Sequence, residues 1–221
     1  MFNEEIQRFF EKEKRQKVNR FRYLNAFAEK GKILFTGSSL MEQFPVHEIL
    51  MADHSPLIIY NRGIGGYTIP EMEEAINEQV FDLEPAAIFI NIGTNDISDP
   101  ECSVELLIER YEHLLKRIKE GLPEADIYVM AYYPANNRDL PVPDEIRPML
   151  ESRVRKIAEA NIEVEKLAER LGLRFINVND GLADETGLQK KEFSIDGVHM
   201  YANGYRVVYQ NLKPYLEKYS L

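Results

Sequence analysis

Cysteine is almost absent from this chain of 221 residues. The single one, Cys102, has no partner for a disulfide within the chain, which fits a reducing compartment. Histidine is also sparse, with four residues, and no cluster of Cys and His has the spacing of metal ligands. We therefore expect neither a disulfide framework nor a metal site.

Positive charge and long apolar runs are lacking as well. The 27 Lys and Arg residues are outnumbered by 37 Asp and Glu residues, which gives a net charge of -10. This balance disfavours nucleic acid and anionic membrane surfaces as partners, because both require a basic face. No apolar run approaches membrane-spanning length, and the first thirty residues carry charges throughout, unlike a secretory signal. These features predict a soluble, cytoplasmic protein.

Hydrophobic residues make up 44% of the chain, enough for the core of one large domain. Short apolar runs predict five strands, and helical patterns separate them. The predicted strands cover residues 32–36, 57–60, 86–92, 127–131 and 173–178. The predicted helices cover residues 39–44, 69–79, 103–121, 143–171 and 202–218. Strands that alternate with helices indicate βαβ units, hence an α/β fold with a parallel sheet and helices on both faces.

Two regions lie outside this alternation. The pattern of residues 1–29 predicts a charged helical extension that breaks near Val18. This extension either packs on the outside of the domain or forms a dimer contact. Its apolar anchors are Ile6, Phe9, Phe10, Phe21, Leu24 and Phe27. The proline-rich composition of residues 134–148 predicts a loop over the carboxyl edge of the sheet, where such folds bind ligands. We expect one domain over residues 1–221, including this extension.

A serine pair follows the first predicted strand, in the sequence Gly37-Ser38-Ser39. A serine at this point presents its hydroxyl at the sheet edge and its backbone N–H at a helix N-terminus. Serine is also a favoured helix N-cap, so a purely structural role is the alternative. Both roles fit together if Ser38 caps the helix while Ser39 acts as a nucleophile.

Two further segments follow the second and third predicted strands. Residues 61–66 contain three glycines in four positions, which indicates unusual backbone angles or close approach to a ligand. Their spacing fits neither a dinucleotide fingerprint nor a P-loop. The N–H of Gly66 is a candidate oxyanion donor, although an ordinary glycine turn is the alternative. In residues 91–96, the Asn95 amide is a second candidate donor, unless it or Asp96 only caps a turn.

An acid and a base lie three residues apart in Asp196-Gly197-Val198-His199, just before the last predicted helix. Across a glycine turn, the carboxylate can reach the imidazole and fix its tautomer, as a general base requires. A metal pair or an exposed loop is the alternative. The remaining histidines lack such a context, and we interpret them as surface or packing residues: His47, His54 and His113.

In this order, the four segments resemble the SGNH (GDSL-type) hydrolase family of esterases, lipases and carbohydrate deacetylases, over about residues 32–216. The resemblance implies Ser39 as nucleophile, Asp196 and His199 as its partners, and an oxyanion hole of Ser39, Gly66 and Asn95. It also implies a three-layer α/β/α, flavodoxin-like sandwich with five parallel strands, and no cofactor. One position departs from the family, because Ser38 replaces the usual aspartate of the first segment.

The expected activity is hydrolysis of a short-chain acyl ester, such as an acetyl group on a carbohydrate, through an acyl-enzyme. The expected partner is a small-molecule ester, with a homodimer as a further possibility. A thioesterase or lysophospholipase-type hydrolase with the same triad, and a non-catalytic binding protein on this fold, are the alternatives. Three tyrosines either line the substrate pocket or pack in the core: Tyr67, Tyr132 and Tyr133.

Overall fold

A single five-stranded parallel sheet organises the chain in the computed structural model, which describes residues 4–139 and 141–220. The strands are β1 (Ile33–Gly37), β2 (Ile59–Gly63), β3 (Ala87–Asn91), β4 (Asp126–Met130) and β5 (Arg174–Ile176). Their order is β2-β1-β3-β4-β5, and every neighbouring pair is parallel. This order is that of flavodoxin-like folds, so the predicted architecture is confirmed.

Helices cover both faces of the sheet. The described α-helices are α1 (Glu4–Asn25), α2 (Ser39–Glu42), α3 (Val46–Ala52), α4 (Ile69–Glu74), α5 (Ile76–Gln79), α6 (Thr94–Ser98), α7 (Val104–Gly121), α8 (Arg147–Arg170) and α9 (Ala202–Leu216). Helices α4, α5, α7 and α8 pack on one face, and α2, α3 and α9 pack on the other. No helix in the described ranges is both long and apolar enough to cross a membrane.

The alternation of side chains along the strands builds one core on each face. In β3, Ile88 and Ile90 contribute to one core, while Phe89 points to the other. Phe89 lies in register with Phe35 of β1 and Tyr128 of β4. Its ring stacks on Tyr128 with centroids 4.4 Å apart and contacts Phe35 at 5.3 Å. An aromatic row therefore crosses three central strands and ties them together on this face.

The second strand lies further along the chain than residues 57–60, the predicted position. Strand β2 ends at Gly63 and contains Asn61 and Arg62, two polar residues that we did not expect in a strand. The side-chain amide of Asn61 donates to the carbonyl of Met41 at 2.5 Å. The Arg62 guanidinium donates to Oδ1 of Asn25 at 2.8 Å and lies over the Phe21 ring at 5.1 Å. Tertiary partners thus satisfy both polar side chains and allow the strand to continue.

The predicted break near Val18 is wrong, because α1 is one continuous helix from Glu4 to Asn25. No glycine or proline occurs in this stretch, and Asn19 accepts a hydrogen bond from Arg22 at 3.2 Å on the helix surface. Only Phe21 and Leu24 of the predicted anchors pack against the sheet domain. The others are exposed: Ile6, Phe9, Phe10 and Phe27.

Other helices differ from the prediction in detail. The pattern over 69–79 forms two short helices, α4 and α5, because the chain departs from helical geometry at Ala75. Helix α8 begins at Arg147 instead of 143, because Pro148 has no backbone N–H and is tolerated in the first turn of a helix but not in its interior. The last helix ends at Leu216, and a 3₁₀ turn follows it. The short helices α3 and α6 were not predicted at all.

Candidate active site

Two neighbouring serines, Ser38 and Ser39, follow β1, and their side chains point in different directions. Gly37 has a φ of 143°, and a Cβ there would lie 1.9 Å from the carbonyl oxygen of Asn91. Only glycine allows this close approach of β1 to β3. Ser38 then points inward, is 1% exposed and has no hydrogen-bond partner for its hydroxyl among the described residues. Ser39 begins α2 and lines a cavity at the carboxyl edge of the sheet.

A hydrogen-bonded chain connects this serine to the loop before α9. The Oγ of Ser39 lies 2.8 Å from Nε2 of His199, although 160 residues separate them. The Nδ1 atom of His199 lies 2.6 Å from Oδ2 of Asp196. The other carboxylate oxygen accepts the backbone N–H groups of Val198 at 3.0 Å and His199 at 2.8 Å. The structure therefore brings together the three residues that the sequence analysis selected.

Backbone contacts of Gly197 fix the loop that carries Asp196 and His199. Gly197 has a φ of 92°, and a Cβ there would lie 2.3 Å from the carbonyl oxygen of Asn136. The N–H of Asn136 donates to the carbonyl of Gly197 at 2.7 Å, and Ser194 accepts the N–H of Gly197 at 3.0 Å. These contacts orient Asp196 and His199 before any substrate binds.

Electrostatics keep the acid of this chain ionised. Partial burial by itself would raise the pKa of Asp196. The hydrogen bonds from the side chain and backbone of His199 outweigh this effect and lower the pKa of Asp196 to about 2. The carboxylate is therefore negative at neutral pH and can hold the Nδ1–H of His199. This arrangement leaves Nε2 to accept the proton of Ser39.

Three residues that line this cavity, Ser39 itself, Gly66 and Asn95, offer N–H donors. The backbone N–H groups of Ser39 and Gly66 donate to no residue that the structure describes. Gly66 has a φ of 75°, and a Cβ on its neighbour Gly65 would lie 3.7 Å from the Ser39 side chain. The Asn95 amide donates to the carbonyl of Tyr67 at 2.8 Å, which leaves its second N–H available. All three residues line the same cavity, as an oxyanion hole requires.

The cavity has a volume of about 660 Å³ and two different walls. One wall is apolar and comes from the proline-rich loop and the start of α8: Pro141, Val142, Pro143, Ile146, Met149 and Leu150. The predicted position of this loop over the carboxyl edge is thus confirmed. The other wall is mostly charged and comes from α1, through Glu13, Lys14 and Lys17, together with the apolar Phe10.

The participation of α1 in the site was not predicted, since we expected it on the outside of the domain. Lys14 donates to the carbonyl of Gly66 at 3.0 Å and pairs with Glu71 at 2.5 Å. Lys17 pairs with Glu42, whose carboxylate also accepts the N–H of Gly65 at 2.7 Å. Two ion pairs therefore join α1 to α4 and α2, and hydrogen bonds from Lys14 and to Glu42 hold the glycine-rich residues 65 and 66. The spacing of the two lysines, almost one helical turn, is the only sequence signal for this contact.

A second residue that the sequence analysis missed, Arg153, also lines this cavity and contacts Asn95. The guanidinium of Arg153 donates from Nη2 to Oδ1 of Asn95 at 2.9 Å and from Nε to Oγ of Ser98 at 2.7 Å. Arg153 is 6% exposed, and burial lowers its pKa to about 10, so it remains charged at neutral pH. The sequence carries a signal for the burial of Arg153, which falls on the apolar face of α8 between Leu150 and Ile157, but none for its contact with Asn95.

Other candidate residues lie outside the cavity. Tyr67, Tyr132 and Tyr133 are at most 6% exposed and pack in the core. His47 contacts the carbonyl of Ile59, His113 contacts Glu73, and His54 lies in a turn. In the described part of the chain, no three His, Cys, Asp or Glu side chains come together as a candidate metal site.

The geometry agrees with a comparison of the sequence with known families. The GDSL-like lipase/acylhydrolase family matches residues 42–207, three quarters of the chain. The chain belongs to this family. The match includes Gly66, Asn95, Asp196 and His199, and it begins three residues after Ser39. The resemblance that the four sequence segments indicated is thereby confirmed.

Individual relatives of this GDSL-like chain carry different names. A candidate platelet activating factor from Streptococcus pneumoniae is 27% identical, with a TM-score of 0.83 over 96% of this chain and 97% of that one. An acetylxylan esterase from Geobacillus stearothermophilus is 18% identical, with a TM-score of 0.62 over 85% and 94%, and shares the fold.

A curated relative is the N-acylneuraminate cytidylyltransferase of Escherichia coli O18:K1:H7. It is 26% identical over 207 residues, or 90% of this chain. The aligned part is 45% of that enzyme, so the chain spans about half the length of this relative.

Proposed function

We propose that this GDSL-like protein is a serine esterase that cleaves a short-chain acyl ester through an acyl-enzyme. The observation that carries the proposal is the hydrogen-bonded chain from Ser39 through His199 to Asp196, beside N–H donors with no partner among the described residues. A nucleophile, an oriented base and an oxyanion site are the three requirements of acyl transfer.

In the first step, Oγ of Ser39 attacks the ester carbonyl carbon while Nε2 of His199 takes the hydroxyl proton. The distance of 2.8 Å between these atoms suits a direct transfer. Asp196 holds the Nδ1–H and stabilises the imidazolium that forms. His199 then returns the proton to the alcohol oxygen as the C–O bond breaks, which leaves an acyl group on Ser39.

The negative charge on the carbonyl oxygen of the tetrahedral intermediate requires donors. We assign this role to the backbone N–H groups of Ser39 and Gly66 and to the free N–H of Asn95. In the second step, His199 deprotonates a water molecule that attacks the acyl carbon. Collapse of the second intermediate releases the acid and restores the hydroxyl of Ser39.

The size and charge of the cavity support a substrate with a polar alcohol. A volume of about 660 Å³ exceeds the needs of an acetyl group and leaves room for a ligand of sugar size. The charged side chains of α1 offer hydrogen bonds to hydroxyl groups on that side. Two relatives are named for carbohydrates, an acetylxylan esterase and an N-acylneuraminate cytidylyltransferase, which supports a carbohydrate as the alcohol part. We propose an O-acetylated carbohydrate as the substrate.

The apolar wall favours a second candidate. Ile146, Met149 and Leu150 offer a surface for a longer acyl chain, as in a thioesterase or a lysophospholipase-type hydrolase. A non-catalytic binding protein has less support, because binding alone does not require a serine hydrogen-bonded to a histidine–aspartate pair.

Hydrolysis of p-nitrophenyl acetate, butyrate and octanoate tests these assignments. We expect activity in the parent and in Ser38→Ala, and a loss of nearly all turnover in Ser39→Ala and His199→Ala. Full activity of Ser39→Ala would contradict the assignment of the nucleophile. A preference for acetate supports the short-acyl proposal, whereas a preference for octanoate favours the second candidate. Release of acetate from acetylated sugars then tests the alcohol part.

A further inference from the structure

Arg153 carries a buried charge with no acidic partner. Its side chain is 6% exposed, and no carboxylate of the described residues lies within the 4.0 Å of an ion pair. An unpaired buried charge destabilises a fold, so a position like this one calls for a compensating use. The pKa of Arg153 is lowered by burial to about 10, and the field of Asp196 opposes this shift.

The hydrogen bonds of Arg153 converge on α6, the helix that carries Asn95. One donor binds Oδ1 of Asn95 at 2.9 Å, and another binds Oγ of Ser98 at 2.7 Å. The Ser98 hydroxyl in turn donates to the carbonyl of Thr94 at 2.7 Å. The preceding residue, Ser152, donates to the carbonyl of Ile97 at 2.9 Å. Residues 152 and 153 of α8 therefore form three hydrogen bonds with α6, at and near Asn95.

The amide of Asn95 is fixed at both ends. Its oxygen accepts from Arg153, and its nitrogen donates to the carbonyl of Tyr67 at 2.8 Å. Rotation of the amide by 180° would place its NH₂ group against a guanidinium and its oxygen against a carbonyl, so the opposite orientation is strongly disfavoured. A charge-assisted bond to the oxygen also polarises the amide and makes its N–H groups better donors.

We propose that Arg153 is a positioning residue for the oxyanion site: it locks and polarises the Asn95 amide so that the free N–H stabilises the intermediate. This inference rests on the proposed esterase function. Because the contribution acts on the oxyanion and not on the bound ester, Arg153→Gln should lower kcat about 10- to 100-fold with little change in KM. The kcat of Arg153→Lys should lie between those of the parent and Arg153→Gln, because one ammonium cannot reproduce both directed hydrogen bonds of the guanidinium.

A matched control lies one helical turn away on α8. Lys156 donates to the carbonyls of Asp99, Pro100 and Cys102 and so ties α8 to the segment after α6, with no contact to Asn95. If Arg153 served only to hold the two helices together, Lys156→Met should have a comparable effect on kcat. We expect Lys156→Met to change kcat less than about threefold, as for a surface substitution that leaves the site intact.

A double-mutant cycle with Asn95→Ala tests the route of the effect. If Arg153 acts through Asn95, Arg153→Gln should have almost no further effect on kcat once Asn95 is alanine. Multiplication of the two single losses in the double variant would overturn the proposal. Melting temperatures of all variants distinguish loss of fold from loss of turnover, and Arg153→Lys serves if the glutamine variant does not fold.

The orientation of the Asn95 amide gives a readout that needs no activity. With selectively ¹⁵N-labelled asparagine, the side-chain resonances of Asn95 should form one ordered pair in the parent and broaden or split in Arg153→Gln. Unchanged resonances would overturn the proposal even if the protein hydrolyses no ester. Parent protein that is inactive on esters but shows the expected change would refute the proposed function and leave the positioning role intact.

Discussion

Replacement of Asp196 by asparagine isolates the charge that orients His199. The variant keeps one side-chain oxygen, which can still accept the backbone N–H groups of Val198 and His199. It places an NH₂ group where Oδ2 now lies, 2.6 Å from Nδ1 of the imidazole. Two donors cannot face each other, so the imidazole must carry its proton on Nε2. In that tautomer it cannot accept the proton of Ser39.

The expected losses in turnover and in stability differ widely. The wrong tautomer lowers turnover by about 10³- to 10⁴-fold in triads of this type, which corresponds to about 4–5.5 kcal/mol of transition-state stabilisation. The Asp196 side chain is 50% exposed, so solvent screens its ion pair with His199, and such pairs contribute at most about 1 kcal/mol to folding. For a chain of this size, that corresponds to a shift of about 2–4 °C in melting temperature.

Steady-state hydrolysis of p-nitrophenyl acetate and thermal unfolding of the same samples check both numbers. We expect kcat/KM of Asp196→Asn to fall by at least 10³-fold while its melting temperature stays within a few degrees of the parent. A variant with native stability and more than a tenth of the parent activity would refute the role of Asp196. A large loss of stability would instead show that the turn depends on the carboxylate.

Three further predictions concern the same elements. Gly37→Ala should lower the melting temperature by at least about 5 °C, because its Cβ would overlap a backbone oxygen of β3. Gly31→Ala should cost less, because it meets no atom within 4 Å and adds only the strain of its φ of 71°. The pKa of Asp196 is about 2 in the folded protein against an ordinary 3.8, so the stability that its carboxylate contributes should be lost as the pH falls from about 4 to 2. The melting temperatures of the parent and Asp196→Asn should therefore converge over this range, and a difference that stays constant would contradict this. If α1 forms a dimer contact, Phe9→Ser with Phe10→Ser should halve the mass measured by light scattering; equal masses would reject it.

Local patterns in the sequence were sufficient to predict the sheet. The run of apolar residues before Asn91 and Gly93 predicts a buried parallel strand, and the structure has β3 there. The polar or glycine-rich ends of such strands meet at one edge of the sheet, which is why residues far apart in sequence could be assigned to one site. The short helices α3 and α6 lack enough turns for a visible period, and tertiary contacts determine them.

The contributions of α1 and α8 to the site could not be predicted in the same way. Lys14 and Lys17 look like solvent-exposed charges on a helix, and only the tertiary fold reveals Glu71 and Glu42 opposite them. Arg153 lies 58 residues from Asn95, so no local pattern connects the two. Strand β2 was displaced in the prediction for a similar reason, since distant partners satisfy its polar side chains.

Covalent labelling of Ser39 tests the central claim most directly. The parent protein, Ser38→Ala and Ser39→Ala would each be treated with a fluorophosphonate ester, and intact masses and peptide masses would be measured. The account predicts one adduct on Ser39 in the parent and in Ser38→Ala, and none in Ser39→Ala. An adduct on Ser38, or labelling that persists in Ser39→Ala, would contradict the proposed nucleophile. A parent that stays unlabelled would contradict the proposal of a serine esterase.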